Sequence, residues 1–184
     1  MKEFPLAKVF HLLEPGPTVL VTTASKESGS NIMTMSWHMM MEFQPPLIAC
    51  VVSPCNYSYA ALLSTKQCVI AIPTVELAAT VVGIGNCDAP DVNKFEKFSL
   101  TPLPAKKVKA PLIAECIANI ECKVTDTRMA NKYAMFILTA VQAWFDPKHK
   151  EHRMIHHNGD GTFEVDDKKT LNLRRKMTKW KDIS

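Results

Sequence analysis

Residues 31–58 read NIMTMSWHMMMEFQPPLIACVVSPCNYS, and this stretch decides how the rest of the chain is read. Asn31-Ile32-Met33-Thr34-Met35-Ser36-Trp37 sets bulky apolar side chains among four hydrogen-bonding ones in seven positions. Leu47-Ile48-Ala49-Cys50-Val51-Val52 is a short apolar run, as expected of a strand covered on both faces. The two runs are predicted to be strands meeting at a turn set by Pro45-Pro46, since proline has no N–H to give to a ladder. Ser53-Pro54-Cys55-Asn56-Tyr57-Ser58 then brings hydroxyls, an amide and a turn to the start of a predicted helix at Tyr59-Ala60-Ala61-Leu62-Leu63. A helix N-terminus with unbonded N–H groups beside hydroxyls is a ready site for an anion, phosphate above all.

Upstream, Thr18-Val19-Leu20-Val21-Thr22-Thr23 is rich in β-branched residues and predicts a first strand. The polar turn Ser25 to Ser30 joins it to the Asn31 run as a hairpin. Phe4 to Leu13 favours one helical face and is ended by Pro15-Gly16-Pro17. Downstream, Cys68 to Pro73 predicts a buried strand, and Glu76 to Val82 a weak helix with Thr74 as N-cap. Gly83 to Pro90 reads as a glycine-containing loop, followed by a short helix over Asp91 to Phe98. Its two glycines make no dinucleotide fingerprint, because no strand–turn–helix G-x-G-x-x-G is present. Pro102 to Pro111 is a surface connector, and Ile117 to Val124 a strand. Tyr133 to Phe145 is a long apolar run whose aromatics favour strand, although periodicity alone also fits a helix. Asn158-Gly159-Asp160-Gly161 signals a turn before a strand at Thr162 to Val165. Many short strands joined by hairpin turns point to a small barrel.

The 184 residues suffice for one domain, and 47% hydrophobic with 22% charged residues fits a globular protein. No run of about 18 apolar residues occurs, so no membrane span is expected. The first residues lack the apolar core of a signal peptide, which makes the cytoplasm the expected compartment. A formal charge of +4 lies partly in Lys106-Lys107-Val108-Lys109 and in Arg174-Arg175-Lys176. Solvated faces explain both, and nucleic-acid binding is not expected without interleaved aromatics. The six cysteines contain no C-x-x-C pair and mostly sit in apolar runs, where they read as reduced core residues.

Taken in order, these pieces resemble the flavin reductase-like, FMN-binding split-barrel family, and its flavoredoxin-type members most of all. The resemblance rests on Val19 to Thr23, the Asn31 to Trp37 run, Gln44-Pro45-Pro46-Leu47, Ser53-Pro54 with Asn56-Tyr57-Ser58, and Val92-Asn93-Lys94-Phe95. It continues through Glu115-Cys116, Glu121-Cys122-Lys123-Val124 and His156 to Phe163, and so spans roughly residues 15–180. The family more often has Asp where Asn93 stands. The resemblance implies a mainly β fold, an FMN-binding split β-barrel with peripheral helices. It forms one domain over residues 1–184, with an N-terminal helix at 1–14 and a C-terminal extension at 148–184. It further implies an FMN-dependent oxidoreductase of the flavin reductase type. NADH, NADPH or a reduced protein would reduce the flavin, which passes electrons to a further acceptor. A reductase that supplies free reduced FMN to a monooxygenase, or a non-enzymatic FMN carrier, are the alternatives.

The candidate cofactor-binding residues are Asn31, Met33, Thr34, Met35, Ser36, Trp37, Ser53, Asn56, Tyr57, Ser58 and Lys94. Ser53, Asn56 and Ser58 suit a phosphate, with the N–H groups of Tyr57 and Ser58. Thr34 to Trp37 suit the flavin ring, and Lys94 offers a positive charge. Since the cofactor carries the redox chemistry, no catalytic side chain is required. Plainer readings stand beside these: helix caps for Ser53 and Ser58, a core or interface aromatic for Trp37, a surface charge for Lys94. His149, His152, His156 and His157 crowd into nine positions, but flanking Lys148, Lys150 and Arg153 oppose a metal there. Met39-Met40-Met41 reads as adaptable apolar packing. Together with Trp37 it suggests a patch where two copies meet, and a homodimer with FMN beside the interface is expected.

Overall fold

The computed structural model describes residues 16–25, 29–87 and 92–167. The helix expected over Phe4 to Leu13, the loop at Asp88 to Asp91 and the end of the C-terminal extension lie outside them. In chain order come β1 (Val19–Ser25), β2 (Gly29–Met35), β3 (His38–Phe43), β4 (Pro46–Val51), helix α1 (Tyr57–Thr65) and β5 (Gln67–Ile72). Helices α2 (Ala78–Gly85) and α3 (Lys94–Lys97) precede the short ribbon β6 (Pro102–Leu103) and β7 (Leu112–Ile113). Then follow β8 (Ala118–Asp126), helix α4 (Ala130–Tyr133), β9 (Met135–Phe145) and a second ribbon of β10 (Ile155–His157) with β11 (Phe163–Val165).

Seven strands form one sheet in the order β2-β1-β5-β8-β9-β4-β3, with every pairing antiparallel. Side-chain alternation explains why it rolls up. Val19 and Val21 of β1, Met33 and Met35 of β2, Ile48 and Cys50 of β4, and Cys68 and Ile70 of β5 all join one buried cluster. Cys122 of β8 and Phe136 and Leu138 of β9 complete it, with Leu62 of α1. One cluster fed by six strands requires a sheet curled around it. Each such side chain contributes about 1.5–3 kcal/mol on burial.

Intervening residues face outward into a second layer. Leu20 and Ile32 pack there with Val81 and Ile84 of α2 and Phe95 of α3, which fixes both helices against β2. The β1–β2 hairpin is the expected one, with Thr23 opposite Asn31. On another outer face, the fully buried Glu121 of β8 accepts hydrogen bonds from the backbone N–H groups of Lys106, Lys107 and Val108, at 3.0, 2.5 and 3.1 Å. Its carboxylate also accepts from Trp144 Nε1 at 2.7 Å. Burial alone would raise the Glu121 pKa, but these donors outweigh it and hold the carboxyl below its ordinary range.

Three expectations are corrected. The Asn31 and Leu47 runs do not meet at the diproline, because β3 lies between them and the turn joins β3 to β4. Met39, Met40 and Met41 are exposed on that strand, so no inside–outside alternation marks it. Gly83 and Gly85 belong to α2 rather than to a loop. Gly83 is required by space: a Cβ there would lie 2.7 Å from the Phe98 ring. Thr74 precedes a turn of 3-10 helix but makes no capping bond, and its hydroxyl is buried without a partner among the described residues.

Candidate flavin site

The outer edge of β2, the loop before α1 and the end of α2 enclose a cleft of about 340 Å³. Asn31, Met33 and Thr34 form one wall, Cys55, Asn56 and Tyr57 the mouth, and Ile84, Gly85, Cys87 and Lys94 the far side. A shallower cleft of about 240 Å³ continues from it, sharing Met33, Thr34 and Asn56. Met35, Ser36, Trp37, Val51 and Ser53 line this second part. Ten of the eleven candidate residues therefore line one continuous groove.

Ser58 is the eleventh, and it lies beneath the groove. It is fully buried, and its hydroxyl accepts from Asn31 Nδ2 at 3.0 Å and from Thr23 Oγ1 at 3.4 Å. That tie fixes the first turn of α1 to the β1–β2 hairpin. Asn56 occupies the N-cap position with no side-chain capping bond, so its exposed amide faces the groove unspent. Tyr59 donates to the Asn56 carbonyl, whereas the N–H groups of Tyr57 and Ser58 have no acceptor among the described residues. These are the unsatisfied donors that a helix start leaves. The Ser53 hydroxyl accepts from Cys55 N–H at 3.2 Å, which shapes the loop.

Lys94 is 5% exposed, and its ammonium donates to the carbonyls of Ile32 at 2.9 Å and Ile84 at 3.3 Å. It is no surface charge: it sits in the cleft wall and ties β2 to α2. Asn93 caps α3 by accepting from the N–H groups of Phe95 and Glu96, a task that Asp performs equally well. Thr34 Oγ1 donates to the Val81 carbonyl at 2.6 Å and so braces α2 along the same edge.

The donor set suits an anionic, flat cofactor. The Tyr57 N–H, the Asn56 amide and the Lys94 ammonium gather at one end, and among the described residues no carboxylate lines either cleft. At the other end apolar Met33, Met35, Trp37 and Val51 offer a surface for a ring system.

Ile84, Gly85, Cys87 and Cys55 were missed from the sequence. The paired glycines at 83 and 85 were the available signal, since glycine often marks a close approach of backbone to a ligand. The histidines do not converge. His156 pairs with Asp166 at 2.7 Å, and His149 and His152 engage backbone carbonyls. No metal-holding group of three occurs among the described residues, nor does any helix long and apolar enough to cross a membrane.

Flavoredoxin of Desulfovibrio vulgaris (Miyazaki F) superposes with a TM-score of 0.83 at 22% identity, over 94% of this chain and 97% of that one. An FMN-binding domain of a flavin reductases-like enzyme from Shewanella baltica OS155 reaches 0.76 at 26% identity, over 92% and 95%. These likenesses define the class by its fold, a split β-barrel. The family model for the flavin reductase like domain matches residues 12–162, and the chain belongs to that family. An uncharacterized protein of Archaeoglobus fulgidus is 32% identical over 134 residues, 71% of this chain and 75% of its own length.

Proposed function

We propose that the groove binds FMN and that the protein is an oxidoreductase of the flavin reductase type. In this reading NADH, NADPH or a reduced protein supplies electrons, and a further acceptor receives them. The observation that carries it is the open start of α1. The Tyr57 N–H has no acceptor among the described residues, and it lies beside a cleft that those residues line with the Lys94 ammonium and with no carboxylate. Tyr57, Asn56 and Ser53 would hold the phosphate, with Ser58 fixing the helix start beneath them, and residues 33–37 the ring. When bound, FMN supplies the electron-accepting and electron-donating chemistry. The chain's own residues bind and orient it: Lys94 keeps a fixed positive charge in the wall, while Met33, Met35 and Trp37 exclude water from one side. The FMN-binding Shewanella domain supports the cofactor assignment. A homodimer belongs to the same reading, with the exposed β3 edge as its surface.

Titration with FMN and with riboflavin tests the cofactor. FMN is expected to bind at least about tenfold tighter, because charge-assisted hydrogen bonds of about 1.5–3 kcal/mol each reach only the phosphate. Equal affinities would overturn the phosphate site. Anaerobic mixing of the FMN-loaded protein with NADH and with NADPH, followed at the flavin band, then tests the donor. A flavin band that persists with both nicotinamides rules them out as donors, leaving a protein donor or a carrier.

A further inference from the structure

We infer that the 340 Å³ cleft is also a thiol-exchange site, where a small disulfide modifies Cys87 and closes the cleft to its cofactor. The regulatory half of this inference rests on the reading of the cleft as the flavin site. Cys50, Cys68 and Cys122 lie in the barrel cluster and Cys116 in the second layer. Burial pushes the Cys50 and Cys116 thiols up to about 12. The two cysteines outside those clusters, exposed Cys55 and Cys87 at 9% exposure, line one and the same cleft.

Cys87 follows the end of α2 and is held there by its N–H, which donates to the Ile84 carbonyl at 3.2 Å. The Lys97 ammonium donates to its sulfur at 3.4 Å. One turn earlier on α3, the Lys94 ammonium reaches the same Ile84 carbonyl. The Lys97 ammonium thus stands against the sulfur where a nucleophilic thiolate would carry its negative charge. In the exchange, the Cys87 thiolate attacks one sulfur of R–S–S–R. A Cys87–S bond forms, the R–S–S–R bond breaks, and the departing RS⁻ takes up the proton that Cys87 released. The S–R group left on Cys87 then occupies the end of the cleft beside Asn56, Tyr57 and Lys94.

The test treats cofactor-free protein with 2-hydroxyethyl disulfide and maps the adducts by mass spectrometry, with and without saturating FMN. FMN affinity is titrated before and after treatment in Cys55→Ser and in Cys55→Ser/Cys87→Ser protein. Cys87 is expected to carry the adduct, and FMN to slow its formation about tenfold or more. Treatment should weaken FMN binding about tenfold or more in Cys55→Ser protein, while the treated-to-untreated ratio stays near one in the double variant. Lys97→Met should slow labelling of Cys87 but not of Cys55 in the same sample. A Cys87 that stays unlabelled when Cys55 is fully labelled overturns the inference, as does an equal loss of affinity in the double variant. If untreated protein binds no FMN, the cofactor reading fails instead, and labelling of Cys87 by itself decides the thiol site.

Discussion

Ser58 and Asn56 stand two positions apart at the start of α1, one sealed under the first turn and the other open to the groove. Ser58→Ala would strip Asn31 Nδ2 and Thr23 Oγ1 of a buried acceptor, at about 1–3 kcal/mol. Chemical denaturation should show that loss, with FMN affinity falling as the helix start loosens. Asn56→Ala should leave stability within about 0.5 kcal/mol, because no cap bond is lost, yet weaken FMN in the same titration. A destabilised Asn56→Ala protein would return that residue to capping. Sequence alone grouped the residues proposed for the phosphate because their chemistry is concentrated in six consecutive positions. It did not distinguish the inward hydroxyl from the outward amide, since that depends on Asn31 arriving from another strand. Glu121 offers a second test. Its carboxyl is held below the ordinary range, so the stability it contributes is full above the unfolded-state pKa and is lost as pH falls through the lower folded value. Glu121→Gln should flatten that acid limb of the denaturation midpoint against pH. It should also cost about 1.5–3 kcal/mol at neutral pH, as one oxygen facing backbone N–H donors becomes an NH2.

The two glycines of α2 behave oppositely when a methyl group is added. Gly to Ala inside a helix ordinarily gains about 0.5–1 kcal/mol. Gly83→Ala should instead destabilise, because its Cβ would meet the Phe98 ring at 2.7 Å. Gly85→Ala makes an ordinary 3.6 Å contact with Thr34 and should keep or raise the melting temperature. Thermal melts of the two variants side by side check this, and a Gly83→Ala protein as stable as Gly85→Ala would refute the steric reading. These same glycines made the sequence reading end the helix at Val82 rather than Gly85, since glycine signals a loop whenever its packing neighbour is unknown. Hairpins fared better: β1 and β2 announce themselves by β-branched and apolar residues around a polar turn. β3 did not, because an exposed strand of methionines carries no alternation to read.

For the whole molecule, Trp37, Met39, Met40 and Phe43 leave an apolar stripe more than half exposed along the β3 edge. Exposed edges of this kind are ordinarily covered. Sedimentation across a concentration series should show a dimer that tightens when FMN is added and weakens in Met40→Lys protein. A monomer at all concentrations with FMN fully bound would refute the interface site. The barrel as a class was legible from the count of short strands, whereas the order of strands was not, because nothing local says that β5 pairs with β1. That order has a mechanical consequence. β2 and β3 end the sheet on opposite sides, yet only Ser36 and Trp37 separate them in the chain. Laid flat, six strand spacings would part those edges by roughly 29 Å, whereas the link can reach only about 11 Å. The two residues therefore act as a clasp that sets the curvature, and the groove beside them inherits its width from the length of the clasp. Lengthening it by even a pair of residues would let the seam relax and splay the ring end of the groove, leaving the helix start at the other end in place.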